Sequence, residues 1–352
     1  MADLKQSNFI ISSTAAAYAV MPGNQDSMDD TDGAIDFAEF ESRQATVPIS
    51  SHGERLDRTL ALVVPEFSRS YLQQLIASSA VSHNGLAQTK SSARVKAGDA
   101  LSIELKPTPQ SQAFKPETMA LDVVFEDDFL CIINKPAGLV VHPAPGNWSG
   151  TLLNGLLARD AQASNLPRAG IVHRLDKDTS GLMVVARTRQ TMDQLVSMIA
   201  ARTVNRQYIA LAHGAWQGAK TRHVDLPIGR DVRNRLRMAV VDLAKHAGKA
   251  AVTDVNLLET VATCCLVQCK LQTGRTHQIR VHLSALGHPL VSDVLYGGAL
   301  AGNLQRQALH AWRLAFEHPV TRVPLVFQAA LPLDMQTAIT DLGLRYNHIA
   351  PI

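Results

Sequence analysis

The sequence predicts an α+β protein built from a small N-terminal module and a larger second domain. Three observations carry this. The 352 residues, 46% apolar and 18% charged, are those of an ordinary globular chain long enough for two domains and a sizeable core. Residues 47–108 read as two short helices followed by a hairpin and a closing strand. From Leu121 onward, strand-like apolar runs alternate with stretches of helical spacing.

Residues 1–46 read as a flexible tail. They hold eight acids and two bases, a net of −6, against +3 for the whole chain, so the remainder carries +9. Breaks at Pro22-Gly23-Asn24 and Asp32-Gly33 interrupt any period, with a short helix over Ala34–Ser42 as the alternative. A basic body suits a polyanionic partner. The run Phe9–Met21 is broken by Ser12, Ser13 and Thr14 and makes a poor signal peptide. No apolar run is long enough to span a membrane, so a cytoplasmic location is expected. Four cysteines (Cys131, Cys264, Cys265, Cys269) are too few and too badly placed for a disulfide framework, and none completes a zinc spacing.

In the small module, Leu56, Leu60, Val63 and Val64 recur at helical spacing and Pro65 ends the run. Ser68 is a candidate N-cap for a second helix carrying Leu72, Leu75 and Ile76. Asn84-Gly85 after Val81 is a strong hairpin turn, and Leu101, Ile103 and Leu105 alternate as a strand. Arg55, Arg58 and Arg69 lie near the helix starts, as RNA contacts or as an ordinary solvated face. Pro107, Pro109 and Pro116 mark residues 107–118 as a linker.

The second domain, residues 119–338, opens with strands at Val123–Phe125 and Phe129–Ile133, then a tight turn at Asn134–Gly138. Thr151–Ala158 is a short amphipathic helix. Gly170–Arg187, GIVHRLDKDTSGLMVVAR, places a polar loop between two apolar runs, Ile171-Val172 and Leu182–Ala186, that read as buried strand segments. Chemistry tends to sit on loops held by rigid flanks. The Asp between Arg174 and Lys177 is either an ion-pair partner or a nucleophile. Met192, Leu195, Met198 and Ile199 predict a helix, and Val204–Leu211 a strand. Residues 220–249 cluster eight bases, among them Arg230, Arg233 and Arg235, against three aspartates, as a phosphate-binding or simply solvated hairpin. Residues 263–271 read as a strand with Cys265 and Cys269 in the core, and residues 339–352 as a C-terminal tail.

The segments NKPAGLVVHP, HRLDKDTSG, NRQYIAL and LQTGRTHQIRVHL, in that order, resemble the motifs of the RluA-type family of RNA pseudouridine synthases. RLDRTLA, SRSYLQQLI, HNG and AGDALSIEL resemble the small RNA-binding domain first seen in ribosomal protein S4, here residues 47–106. The resemblance spans residues 50–335. It implies a mixed, mainly antiparallel sheet with flanking helices. It implies Asp176 as catalytic residue, Tyr208 stacking on the target base and Arg275 paired with Asp176. Arg174 and His277 join the expected RNA contacts; a metal reading of His277 with His282 fails for want of a carboxylate at ligand spacing, which leaves an RNA or structural role. Within the family, VVHPAPGN and RQALHA look most like members acting on the helix 69 stem-loop of 23S ribosomal RNA, with other large-subunit sites as the alternative. The implied partner is 23S RNA or an assembling large subunit, the implied state is a monomer, and neither a metal nor a cofactor is required. A different class is an S4-type RNA-binding assembly factor with a dead catalytic domain, which an intact Asp176, Tyr208 and Arg275 set disfavours. A kinase reading of His173-Arg174 fails for want of a Gly-rich loop and a DFG, and a glycosidase using Asp176 and Asp178 has nothing else to support it.

Overall fold

A computed structural model of the chain describes residues 10–13, 41–65, 67–105, 113–144, 146–234 and 236–346. They form a small unit ending at Ala113 and a large unit from Phe114 onward, to which Ile10–Ser13 also belongs.

The small unit contains β2 (Glu41–Thr46), α1 (Leu56–Val63), α2 (Arg69–Ala77), β3 (Val81–His83), β4 (Leu86–Gln88) and β5 (Ala100–Leu105). The strands form an antiparallel sheet in the order β2-β5-β3-β4. Ser68 caps α2 by accepting from the Tyr71 N–H, and Asn84-Gly85 turns β3 into β4 with φ of 51° and 79°, the twist a two-residue hairpin needs. The apolar stripes of both helices, Leu56, Leu60, Leu72 and Ile76, close over Val81, Leu101 and Ile103. Residues 41–46 are thus a strand and not part of a tail. Their sequence, ESRQAT, has no apolar alternation because β2 is an edge strand held chiefly by its backbone.

The large unit is organised on one sheet. Its strands are β1 (Ile10–Ser13), β6 (Val123–Glu126), β7 (Leu130–Lys135), β8 (Ser180–Ala186), β9 (Asn205–His213), β10 (Thr221–Asp225), β14 (Val252–Thr260), β15 (Cys264–Leu271), β16 (Leu309–Glu317) and β17 (Pro324–Ala329). The path runs β10-β14-β15-β9-β16-β8-β7-β6, with β17 joining β16 and β1 joining β17. Pairing is antiparallel except at β8–β16 and β1–β17, so the sheet is mixed and mainly antiparallel, as expected. At the parallel junction Gly181 faces Ala311 with φ of +113°, and a Cβ there would lie 2.2 Å from the Ala311 carbonyl oxygen. Only glycine fits.

Helices cover both faces. On the face of Tyr208, Ala210 and Ala212, α3 (Leu152–Arg159) and α5 (Gln278–Ala285) bury Leu152, Leu153, Ile279 and Leu283. On the other, Ile209 and Leu211 meet α6 (Leu333–Asp341), while Leu182 and Val184 meet Leu195 of α4 (Arg189–Ala200). The domain continues past residue 338, because Ile339 and Leu344 are buried in that second core. Of the expected linker, residues 107–112 lie outside the described residues. Residues 114–118 belong to the large unit, where the Asn154 side chain donates to the Lys115 carbonyl and the Gly150 N–H to Glu117. Within residues 220–249, β10 joins the main sheet, while β11 (Ile228–Arg230), β12 (Met238–Val240) and β13 (Gly248–Lys249) form a separate three-stranded insert. All four cysteines are free and buried, and among the described residues no helix is long and apolar enough to cross a membrane.

Candidate active site

The polar loop between the turn at Pro167–Gly170 and β8 is pinned by its backbone. Ile171 makes only an isolated bridge to Val185, so Ile171-Val172 is not the strand expected; the first apolar run enters the loop directly. Lys135, fully buried at the end of β7, donates from Nζ to the carbonyls of Pro136 (2.7 Å), Leu139 (2.9 Å) and Lys177 (2.9 Å). Gly138 N–H also donates to Lys177 O, and Arg306 donates to Asp178 O. The Asn134–Gly138 turn and the loop carrying Asp176 are therefore one hydrogen-bonded body.

Asp176 lines a cavity of about 410 Å³, together with Tyr208 of β9, His142, His173, Arg174 and Arg206. Arg280 Nη1 donates to Asp176 Oδ2 at 3.1 Å, and its other edge makes a bidentate contact with buried Asp293, 2.8 Å for each bond. The ion pair expected of Arg275 is made by Arg280 instead. Arg275 does line the cavity, but its Nε donates to the Ala250 carbonyl. The reason is local: His277, left-handed at φ 55°, starts α5, and Arg280 on its first turn faces inward.

His277 also stands beside the carboxylate, with Nε2 3.9 Å from Asp176 Oδ1. Its Nδ1 is 2.7 Å from the hydroxyl of Tyr296, which accepts the Met238 N–H from the insert. The hydroxyl can give its proton to Nδ1 while accepting from Met238, an arrangement that leaves the ring proton on Nε2, facing Asp176. Burial keeps His277 low, against the opposing charge of Asp176. The ring of Tyr296 also stacks under Arg280, 4.8 Å from the guanidinium carbon.

Burial pushes the Tyr208 hydroxyl up to about 12, so it is a neutral phenol near pH 7. Burial, with Arg206 adding to it, pushes His173 down to about 3. His282 is structural, its two nitrogens meeting Thr253 and Leu226 O.

The other expected RNA contacts divide. Arg174 is exposed at the cavity and Arg233 on the insert; Arg230 is exposed with contacts of its own, and Arg235 lies outside the described residues. In the small unit Arg55 and Arg69 both bond to buried Asp57, at 3.0 and 2.8 Å, and Arg58 pairs with Glu54. Burial opposes the Asp57 charge, but hydrogen bonds from Arg55, Gln73 and Arg69 hold its carboxyl well below the usual range. Arg55 and Arg69 are thus partly structural. Sequence reasoning missed Arg280, Asp293, Tyr296 and Arg206. Arg280 lies in the quoted LQTGRTHQIRVHL and Arg206 in NRQYIAL, whereas Asp293 and Tyr296 lie beyond the quoted segments.

A mainly antiparallel sheet with an Asp–Arg pair and a tyrosine on one cavity fits the class that the comparisons show: the chain belongs to the family of RNA pseudouridine synthases. Residues 129–285 match the family described as RNA pseudouridylate synthase. Over 334 residues the chain is 46% identical to the ribosomal large subunit pseudouridine synthase D of Neisseria meningitidis serogroup B, covering 91% of this chain and 87% of that one. The protein of the same description from Nitrosomonas europaea is 46% identical over 300 residues, 83% of this chain and 85% of its own. The fold is also similar to human RNA Pseudouridylate Synthase Domain Containing 4, with 25% identity, 64% of this chain and 94% of that one covered, and a TM-score of 0.51.

Proposed function

We propose that this protein converts specific uridines of 23S ribosomal RNA to pseudouridine, at the helix 69 stem-loop, with Asp176 as the nucleophile. The observation that carries the reading is the Asp176 carboxylate, 3.1 Å from Arg280, in a cavity it shares with Tyr208. The names of the curated relatives point to the large ribosomal subunit. The reaction breaks N1–C1′, turns the uracil and rejoins it through C5, releasing the C5 proton. Nothing is oxidised and no external group moves, so these residues suffice without a cofactor. The base must leave its stack, at a cost of about a few kcal/mol, least in a loop. Asp176 attacks the uracil ring or C1′, or promotes glycal formation, while Arg280 orients it and Tyr208 stacks on the base. The small unit serves as an S4-like RNA-binding module, and the protein acts as a cytoplasmic monomer on free RNA or on an assembling subunit.

The test is tritium release from uracil C5-labelled 23S RNA, followed by mapping of the modified sites. Wild type should release tritium and Asp176→Asn should not, with RNA affinity nearly unchanged. Activity retained by Asp176→Asn would remove Asp176 from the mechanism, and tight binding without release by wild type would favour a non-catalytic assembly factor.

A further inference from the structure

Arg206 has no internal reason to be where it is. It lies on β9, only 5% exposed, and lines the same cavity as Asp176 and Tyr208. Among the described residues its guanidinium has no carboxylate partner, and its buried Nε has no hydrogen-bond partner. The other buried arginine of the cavity, Arg280, is saturated by Asp293 and Asp176. A buried cation without an anion is expensive, and ordinary packing does not retain one.

Two neighbours fit a ligand and not a packing role. His173 Nε2 accepts the Val184 N–H at 3.1 Å, so the neutral ring carries its proton on Nδ1, and that buried nitrogen is also unpartnered. Gly274 lies under the guanidinium: a Cβ there would be 2.9 Å from Arg206 Nη1. One glycine and two donors thus shape a cradle on the cavity wall. A charge this buried is repaid by an anion far better than by a neutral carbonyl, and a guanidinium fork matches a phosphate.

We propose that Arg206, with the Nδ1–H of His173 beside it, is a phosphodiester-binding subsite of the cavity, taking a backbone phosphate of the flipped uridine or its immediate neighbour. The subsite rests on the reading of the protein as an RNA uridine isomerase, and deepens it: the enzyme grips the extruded nucleotide by its charge, independently of base identity.

The experiment uses the full chain and 23S transcript. The uridine that wild type modifies is mapped first, and a synthetic stem-loop centred on it is then made with a single neutral methylphosphonate at each nearby position. Wild type should lose on the order of ten- to a hundredfold in affinity at one position, as for a charge-assisted contact. Arg206→Met should bind the natural stem-loop that weakly already and show no further loss at that position. Its slope of log affinity against log salt should fall by about 0.7, one phosphate's worth for a single strand, while Arg206→Lys keeps the slope. Arg206→Met should also melt no lower than wild type, since it removes an unpaired buried charge. A flat methylphosphonate scan, or an Arg206→Met that melts lower yet binds RNA normally, would overturn the subsite. Wild type that isomerises no uridine at all would overturn the functional reading first, and the subsite with it.

Discussion

Arg280 is held on two sides, and the two sides do different work. Asp293 fixes the guanidinium through both of its oxygens in a nearly dry setting, leaving one nitrogen for Asp176. Removing one member of such a pair leaves the other buried and uncompensated, at a cost of about 3–5 kcal/mol. Asp293→Asn is therefore expected to destabilise the fold by about 3 kcal/mol and to lower kcat at least tenfold. Its RNA affinity should stay close to wild type, because Asp293 faces away from the cavity. Denaturant unfolding and single-turnover rates check this, and unchanged turnover would mean that Arg280 needs no second carboxylate. At this scale the sequence was half legible. Asp176 and Tyr208 stand in two of the quoted motifs, and both line the cavity. The partner of Asp176 was not legible, because GRTHQIR offers two arginines five apart. The left-handed turn at His277 decides between them, and that conformation is invisible in residue types. Arg206 was illegible for another reason: a basic residue in a strand reads as solvated charge.

The element that fixes the loop carrying Asp176 is the end of β7. Burial drives the Lys135 amine down to about 8, yet three carbonyls around Nζ require three N–H donors, which only the ammonium has. Lys135→Met removes all three bonds and strands three carbonyls. It should cost about 3 kcal/mol or more and release the loop carrying Asp176. Hydrogen exchange at residues 173–180 should rise well above the global unfolding rate, with kcat reduced more than KM is raised. Unchanged exchange there would show that β8 alone holds the loop. The sequence anticipated the Asn134–Gly138 turn but not this lysine, since lysine is a surface residue by habit. Regular elements were legible where one face is buried: α1, α2, α4 and β5 all show their period. Strand β2 has none, and Ile171-Val172 showed an apolar pair that ends in a bridge.

For the molecule as a whole, the imidazoles locked inside the large unit govern stability in mild acid. His310 bonds to Ser180 and to the Ala329 carbonyl across the junction of β8, β16 and β17, and burial pushes it down to about 4. His173, on the cavity wall, is pushed down further, to about 3, by burial with Arg206 adding to it. In the unfolded chain both rings take up protons near pH 6.5. Between about pH 6.5 and 4 the unfolded state binds more protons than the native one, so stability falls as pH falls. Each such group gives a slope of up to roughly 1.4 kcal/mol per pH unit, and His142, pushed down to about 4 by burial, and the lowered His277 and His282 add to these two. The carboxylates held low, Asp57 and Asp254, keep their contribution in this range and lose it only below about pH 4. Urea unfolding between pH 7.5 and 4.5 should show a slope of that sign, and His310→Gln should reduce it by up to about 1.4 kcal/mol per pH unit. Stability that is level from pH 7 to 5 would mean that these rings are protonated in the native state, and that the polar groups closing the sheet junction are arranged differently from the bonds seen at Ser180 and Ala329.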